Sequence, residues 1–537
     1  MTRQDDLRPL ILIRGFGGPD VSEEQASGYQ GFNDGTVYPG RRGENYIYEG
    51  FVLRAMKAER YRYRDATNVV GYYADEVAAV PPGALGIDAS LCGGTVAVDP
   101  SVAERVLGCG VGGTMWVYRY YDLRPRTMRH FGAGLARLVG IIAECAARRG
   151  EPFDGVDIVA HSMGGLVVNA ALREMTEAGN DPRRLVHRIV TLGTPHRGIA
   201  FNALPRWLGE LIPGVREASD ELASFDPRGT AFLDVASWFD PRRILTVVGT
   251  DHRGYGVRAA TLANRVASLF DEGALVHNRS DGLVKHASAQ LPGSPRTFVH
   301  KCHGGHDSLV TAREAYEIAM RFFHGTHRVC LWLDDADVRE GGDHFGRSEF
   351  YLGVSIKPRY VDFELFHQSA AAENCYGPFH ERTLDDPLPD LETELRRPLA
   401  ECGDRTNGWA GPDRLVWEGW LDARLTTACD PVFRVDIYVG ERDAYGIGFS
   451  DNVVFRKQYY VQAVLGPGPV ALYVHSGERF LGPRGQADGA DLDRVAETSA
   501  TAPVQRAQPT GRPDEWTFRT EGAAFAATWR IAMTAEP

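Results

Sequence analysis

The string Val156-Asp157-Ile158-Val159-Ala160-His161-Ser162-Met163-Gly164-Gly165-Leu166 places a serine between two segments of different periodicity. Residues 156–160 read as a short buried strand, and residues 164–175 read as a helix ended by Gly179-Asn180-Asp181-Pro182. Ser162 therefore stands at the tip of a tight strand-to-helix turn. A hydroxyl projected from such a turn needs small residues two before and two after it, so that strand and helix can pass closely. Ala160 and Gly164 meet that need. The helix start behind Ser162 offers free N–H groups and positive dipole character to a developing oxyanion. The competing explanation is a serine that caps an ordinary helix.

A nucleophilic serine needs a base, and the base needs an orienting acid. In a strand–turn–helix setting the chain order is Ser, then Asp or Glu, then His. Asp281, in Ser280-Asp281-Gly282-Leu283-Val284, is the favoured acid; Asp251, just after a strand over 244–248, is the alternative. For the base, Lys301-Cys302-His303-Gly304-Gly305-His306-Asp307-Ser308-Leu309 offers two histidines just before a final helix. His306 is favoured and His303 is the alternative. An oxyanion hole needs two backbone donors. Met163 N–H, next after the nucleophile, is one. Phe16 N–H, in the turn Arg14-Gly15-Phe16-Gly17-Gly18 after the first strand, is the other. The same turn is a poor phosphate cradle, because no lysine follows at P-loop spacing.

The elements that must hold these residues follow from patterning. LILI over Leu10–Ile13, and residues 115–121, 188–192, 244–248 and 296–300, read as strands. The spacing of Phe131, Leu135, Leu138 and Ile142 predicts a helix over 128–149, with Gly150 as its C-cap. Alternating strands and helices imply a mostly parallel sheet covered on both faces, an α/β domain over 1–326. Two insertions interrupt it, about 19–113 and 199–240. The second carries the apolar stretch FNALPRWLGEL (201–211), which reads as either a lid or a packing helix. After residue 326 helical periodicity nearly vanishes. Strand-like runs at 329–333, 349–356, 361–366, 415–421, 432–439, 459–464, 470–474, 516–519 and 524–533 suggest an all-β, sandwich-like domain over 327–537. Residues 486–514 read as a polar loop.

Several strings together resemble α/β-hydrolase lipases and esterases, specifically the branch with lecithin–cholesterol acyltransferase-like and GPI-inositol-deacylase-like proteins. They are ILIRGFGG (11–18), YYDLRP (120–125), VAHSMGGL (159–166), TLGTPHRG (191–198), SDGLV (280–284) and GHDSL (305–309). The resemblance covers roughly residues 8–324, with both insertions unmatched. It implies the α/β-hydrolase fold, with Ser162, Asp281 and His306 as nucleophile, acid and base, and a structural role for His196. Arg14 stands where the branch usually has histidine. The C-terminal half has a fainter likeness: residues 343–351 look distantly like a C2-domain loop, with Asp334, Asp335 and Asp337 just before it. Clustered oxygens there could hold calcium, although acidic loop tips are usually only solvated.

Composition narrows the partners. Acidic side chains number 71 against 59 basic ones, net −12, which argues against a nucleic-acid binder held by phosphate contacts. Eight cysteines form no C-x-x-C pair and suggest neither a zinc site nor a disulfide framework. No apolar run approaches the roughly 18 residues of a membrane span, and the polar start reads as lacking a signal peptide. The expectation is a cytoplasmic serine ester hydrolase, a lipase, esterase or phospholipase working through an acyl-enzyme. It would need no cofactor or metal, and peripheral membrane contact is compatible with it. An acyltransferase using the same triad, or a catalytically degenerate binding scaffold, is the alternative.

Overall fold

Runs of β-branched and apolar residues four to seven long bury both faces of a strand only in a covered parallel sheet. A computed structural model of the chain contains such a sheet. The structure describes residues 7–15, 50–58, 61–63, 110–118, 128–196, 234–252, 280–284, 286, 288–304, 307–338, 349–359, 361–369, 372, 374–380, 415–425, 431–442, 452–464, 470–476, 492–494, 496 and 504–536. These fall into two compact units. One takes its residues from 1–295 and 301–319, the other from 296–300 and 320–537.

In the first unit, six strands pair in parallel in the order β2-β3-β1-β4-β5-β6. They are β1 (Leu10–Ile13), β2 (Arg62–Tyr63), β3 (Thr114–Tyr118), β4 (Val156–His161), β5 (Val186–Leu192) and β6 (Ile244–Gly249). Every residue of β1, β3, β4 and β6 is buried. Helix α1 spans Phe51–Lys57, α2 Met128–Arg149, α3 Met163–Glu177, α4 Pro182–Leu185 and α5 Arg313–His324. Ile11 and Ile13 of β1 and Ile158 and Ala160 of β4 share a core with Phe131, Leu135, Leu138 and Ile142 of α2. The same core takes in Val167, Ala171 and Leu172 of α3. The 3.6-residue stripe on α2 is thus what covers one face of the sheet. The helix ends where Gly150 adopts φ 64°. Elsewhere in this unit, the Phe51 ring of α1 meets Tyr316 of α5 edge-on, with centroids 5.0 Å apart.

The chain enters the second unit through α5. After β7 (Arg296–Val299), this unit consists of two antiparallel sheets. One has six strands in the order β10-β9-β12-β13-β14-β15, the other five in the order β11-β8-β18-β17-β16. Their ranges are β8 His327–Val338, β9 Glu349–Pro358, β10 Tyr376–His380, β11 Leu415–Leu421, β12 Val432–Arg442, β13 Asn452–Val464, β14 Ala471–His475, β15 Val504–Arg506, β16 Gln508–Pro509, β17 Glu515–Glu521 and β18 Phe525–Ala535. Trp417 of β11 meets Phe433 of β12, and Phe455 of β13 meets Phe525 of β18, at centroid distances of 5.8 and 5.0 Å. These aromatic contacts between two inner faces fit a sandwich-like arrangement.

Two expectations change here. Residues 361–366 are not a strand. Leu365 and Phe366 are both buried, which breaks the alternation, and only a single bridge joins Phe366 to Ile356. The stretch 486–514 is not wholly loop, since β15 and β16 lie in it. Asp334 of the acidic run is held by Arg530 at 2.9 Å, and no group of three metal-ligating side chains occurs among the described residues. The stretch 201–211, the loop 343–348 and most of both insertions lie outside the described residues. No helix among the described residues is long and apolar enough to cross a membrane.

Candidate active site

β4 ends in His161, and the chain reverses at once into α3. Ser162, between them, has φ 52° and ψ −129°. Among the described residues, only Ser162 and Asp514 combine a side chain with positive φ. Such a backbone costs on the order of 1–3 kcal/mol and persists only where its surroundings enforce it. Here the surroundings are specific. Ser162 N–H donates to Leu192 O at 2.9 Å, while Ser162 O accepts from Gly165 N–H at 3.0 Å and from Thr194 Oγ1 at 2.9 Å. A Cβ at Gly164 would come within 2.9 Å of the carbonyls of Ile13 and Arg14, and one at Gly15 within 2.5 Å of Ser162 Cβ. Gly164 is therefore small because β1 and the turn after it press on it. Met163 N–H belongs to the first turn of α3, where helix N–H groups have no intrahelical acceptor.

Asp281 is 1% exposed. Its Oδ1 accepts N–H bonds from Leu283 at 3.1 Å and Val284 at 2.8 Å, the signature of an aspartate at the head of a tight turn. Its Oδ2 accepts from His303 Nδ1 at 2.8 Å. Gly193, at φ 55°, lets this carboxylate in, since a Cβ there would fall 2.7 Å from Oδ2. The other ring nitrogen, His303 Nε2, accepts from Ser162 Oγ at 2.9 Å. An unbroken hydrogen-bonded line thus runs Asp281–His303–Ser162.

The imidazole in that line is His303, the alternative weighed above, rather than the favoured His306. His306 and Phe16 lie outside the described residues. The placement of His303 has a local cause. Its N–H donates to Asp281 O at 2.8 Å, so the loop is stitched to the backbone of Asp281 at this residue. The loop then closes through Cys302 N–H to Asp307 O and Leu309 N–H to Cys302 O. Asp251, the alternative acid, lies in the same neighbourhood, with its N–H on Lys301 O at 3.2 Å. Asp281 is the carboxylate bonded to His303. Cys302, next to His303, is a poor nucleophile: burial first, then the carboxylates of Asp251, Asp307 and Asp281, push its thiol up to about 12.

Sequence reasoning gave no role to one residue of this site. His161, 7% exposed, donates Nε2–H to His303 O at 2.8 Å. Its ring centroid lies 4.8 Å from that of His303. Burial, followed by the nearby His303 and Arg14, holds its pKa well below the usual histidine range. The available signal was a histidine on a buried strand immediately before the serine. His196, by contrast, bonds Thr191 Oγ1 at 3.1 Å, and burial lowers its pKa to about 3, which fits a neutral structural residue.

No protein-family model matches the chain, and no curated protein matches it. Among solved structures, a presumed cell surface hydrolase from Lactobacillus plantarum WCFS1 is 10% identical and has a TM-score of 0.25. The match covers 60% of this chain and 92% of that one. These comparisons do not show the lecithin–cholesterol acyltransferase-like branch. A TM-score this low leaves the side-chain geometry as the ground for function.

Proposed function

We propose that the chain is a serine hydrolase that cleaves carboxylic esters through an acyl-enzyme. The observation that carries the reading is the line Asp281–His303–Ser162, ending on a strained serine at a helix N-terminus. Because Asp281 only accepts, His303 carries its proton on Nδ1 and presents the Nε2 lone pair to the serine hydroxyl. Ser162 Oγ attacks the ester carbonyl carbon as its proton passes to His303 Nε2. Asp281 orients the ring and stabilises the imidazolium. The tetrahedral oxyanion is held by Met163 N–H and by Phe16 N–H, which follows Gly15, the residue lying against Ser162. The ester C–O bond breaks, and the leaving alcohol takes the proton from His303. Water then attacks the acyl-enzyme with His303 again as base, returning free Ser162 and a carboxylic acid.

The base in this proposal is His303, in place of the favoured His306. The substrate class is an acyl ester, a lipid among the candidates. The test is hydrolysis of p-nitrophenyl esters from acetyl to palmitoyl by wild type and Ser162→Ala. Hydrolysis in the wild type that disappears with Ser162 is expected, and equal hydrolysis in both proteins overturns the proposal.

A further inference from the structure

We propose that His161 is a positioning residue for the base, and that it works by pinning the His303 main chain while remaining an uncharged neighbour of the His303 ring. The inference rests on the serine-hydrolase reading above and deepens it. Four hydrogen bonds to described residues hold His303. Its ring is fixed by Asp281 Oδ2 and by Ser162 Oγ. Its N–H is fixed by Asp281 O, and its carbonyl by His161. Three of the four anchors belong to the catalytic line itself. The fourth, His161 Nε2–H to His303 O, is a side chain on β4 with no other task in that line. It ties the strand that ends at the nucleophile directly to the loop that carries the base, across 142 residues of sequence.

The bond also fixes the state of His161. A carbonyl only accepts, so Nε2 must carry the proton and Nδ1 is left as a lone pair. His161 Nδ1 is buried and has no hydrogen-bond partner among the described residues. A second proton there would create a buried cation beside His303, with Arg14 near enough to oppose it. His161 therefore stays neutral when His303 becomes an imidazolium, and the two rings, tilted by 41°, never carry like charges together.

Isosteric variants separate the pinning bond from mere filling of space. The amide nitrogen of glutamine reaches about as far from the backbone as imidazole Nε2, and that of asparagine only about as far as Nδ1. Phenylalanine keeps a ring and loses the donor. The readout is covalent labelling by a fluorophosphonate–rhodamine probe. In that reaction Ser162 Oγ attacks phosphorus, the P–F bond breaks, fluoride leaves and the serine proton goes to His303. Wild type, His161→Gln, His161→Asn and His161→Phe would be compared for the maximal labelling rate and the probe's half-saturating concentration, with folding followed by circular dichroism.

His161→Gln should label within about threefold of wild type. His161→Asn and His161→Phe should label roughly tenfold to a hundredfold more slowly, the range expected when a catalytic group is displaced by about 1 Å. Half-saturation should be unchanged, because the probe's contacts do not include His161. Equal rates for folded His161→Gln and His161→Asn overturn the pinning role. If His161→Phe does not fold, the glutamine–asparagine pair decides alone. A wild type that does not label at all overturns the serine-hydrolase reading first, and this inference with it.

Discussion

Two Ser–His–carboxylate groupings occur among the described residues, and their differences separate the proposed nucleophile from a hydrogen-bonded turn. In the second unit, His367 bonds the Glu364 carboxylate through Nδ1 and Ser369 Oγ through Nε2, the latter at 3.2 Å. The connectivity copies Asp281–His303–Ser162. The surroundings do not. Glu364, His367 and Ser369 lie within six residues of chain, and the His367 and Glu364 side chains are about a quarter exposed, 28% and 26%. Ser369 Oγ already accepts the Ala372 N–H at 3.2 Å. Its backbone is not at positive φ, and no helix begins behind it among the described residues. In the first unit the three groups come from separate segments, and His303 and Asp281 are 5% and 1% exposed. Water therefore screens the second grouping and not the first. On the proposed reading, the relay alone does not activate a hydroxyl; burial, a strained turn and a nearby helix N-terminus accompany it in the first unit.

The largest expected contrast lies between the two histidines. His303→Ala should cut fluorophosphonate labelling or ester turnover by about a thousandfold or more, whereas His367→Ala should leave either within twofold. Comparable losses in both would break the distinction. The carboxylates come next. Asp281→Asn should keep the packing and lose on the order of 100- to 10,000-fold in turnover, because the amide favours the wrong imidazole tautomer. Glu364→Gln should leave turnover untouched, and a drop there would bring the second grouping into the chemistry.

A smaller effect sharpens the role of close packing. Gly15→Ala forces a methyl group against Ser162 Cβ and should slow labelling by roughly tenfold or more, at a stability cost of about 1–3 kcal/mol. Gly179→Ala, at φ 82° with nothing within 4 Å of the new Cβ, should cost about 1 kcal/mol in stability and leave the rate alone. Kinetics and urea unfolding on the two variants give the comparison.

A further effect concerns pH. The His161 and His196 pKa values are depressed in the folded state, His196 to about 3, while both return to the ordinary value near 6.5 on unfolding. The unfolded chain then binds more protons, so stability rises with pH. For His196 the contribution is complete above about pH 6.5 and declines as the pH falls toward 3. Going from pH 7 to pH 5 should cost about 2 kcal/mol for His196. Urea midpoints at the two pH values test this, and His196→Gln should flatten the dependence. An equal slope in that variant would contradict the assignment.

The strand–turn–helix around Ser162 was legible because its signals are local. β-branched residues, small residues at fixed offsets and a 3.6-residue stripe announce it within about twenty positions. The helix over about 128–149 was legible for the same reason, and the structure has it over Met128–Arg149. Asp281 was legible as a turn aspartate. The place of His303 beside Asp281 was not, since it is set by a backbone bond from His303 N–H to Asp281 O, twenty-two residues away. No periodicity records that pairing. The strand expected over 361–366 failed for a related reason, because its buried Phe363, Leu365 and Phe366 suit an irregular segment as well as a strand. The support given by His161 was hidden too, since a buried histidine on a strand reads as ordinary core until its acceptor is known.

The central claim is that Ser162, alone of the two relayed serines, is a nucleophile. Labelling the intact protein with a fluorophosphonate and mapping the modified peptide by mass spectrometry tests it most directly. A single adduct on Ser162 that vanishes in Ser162→Ala is the predicted result. An adduct on Ser369, or none on either serine while the protein hydrolyses esters, would contradict it.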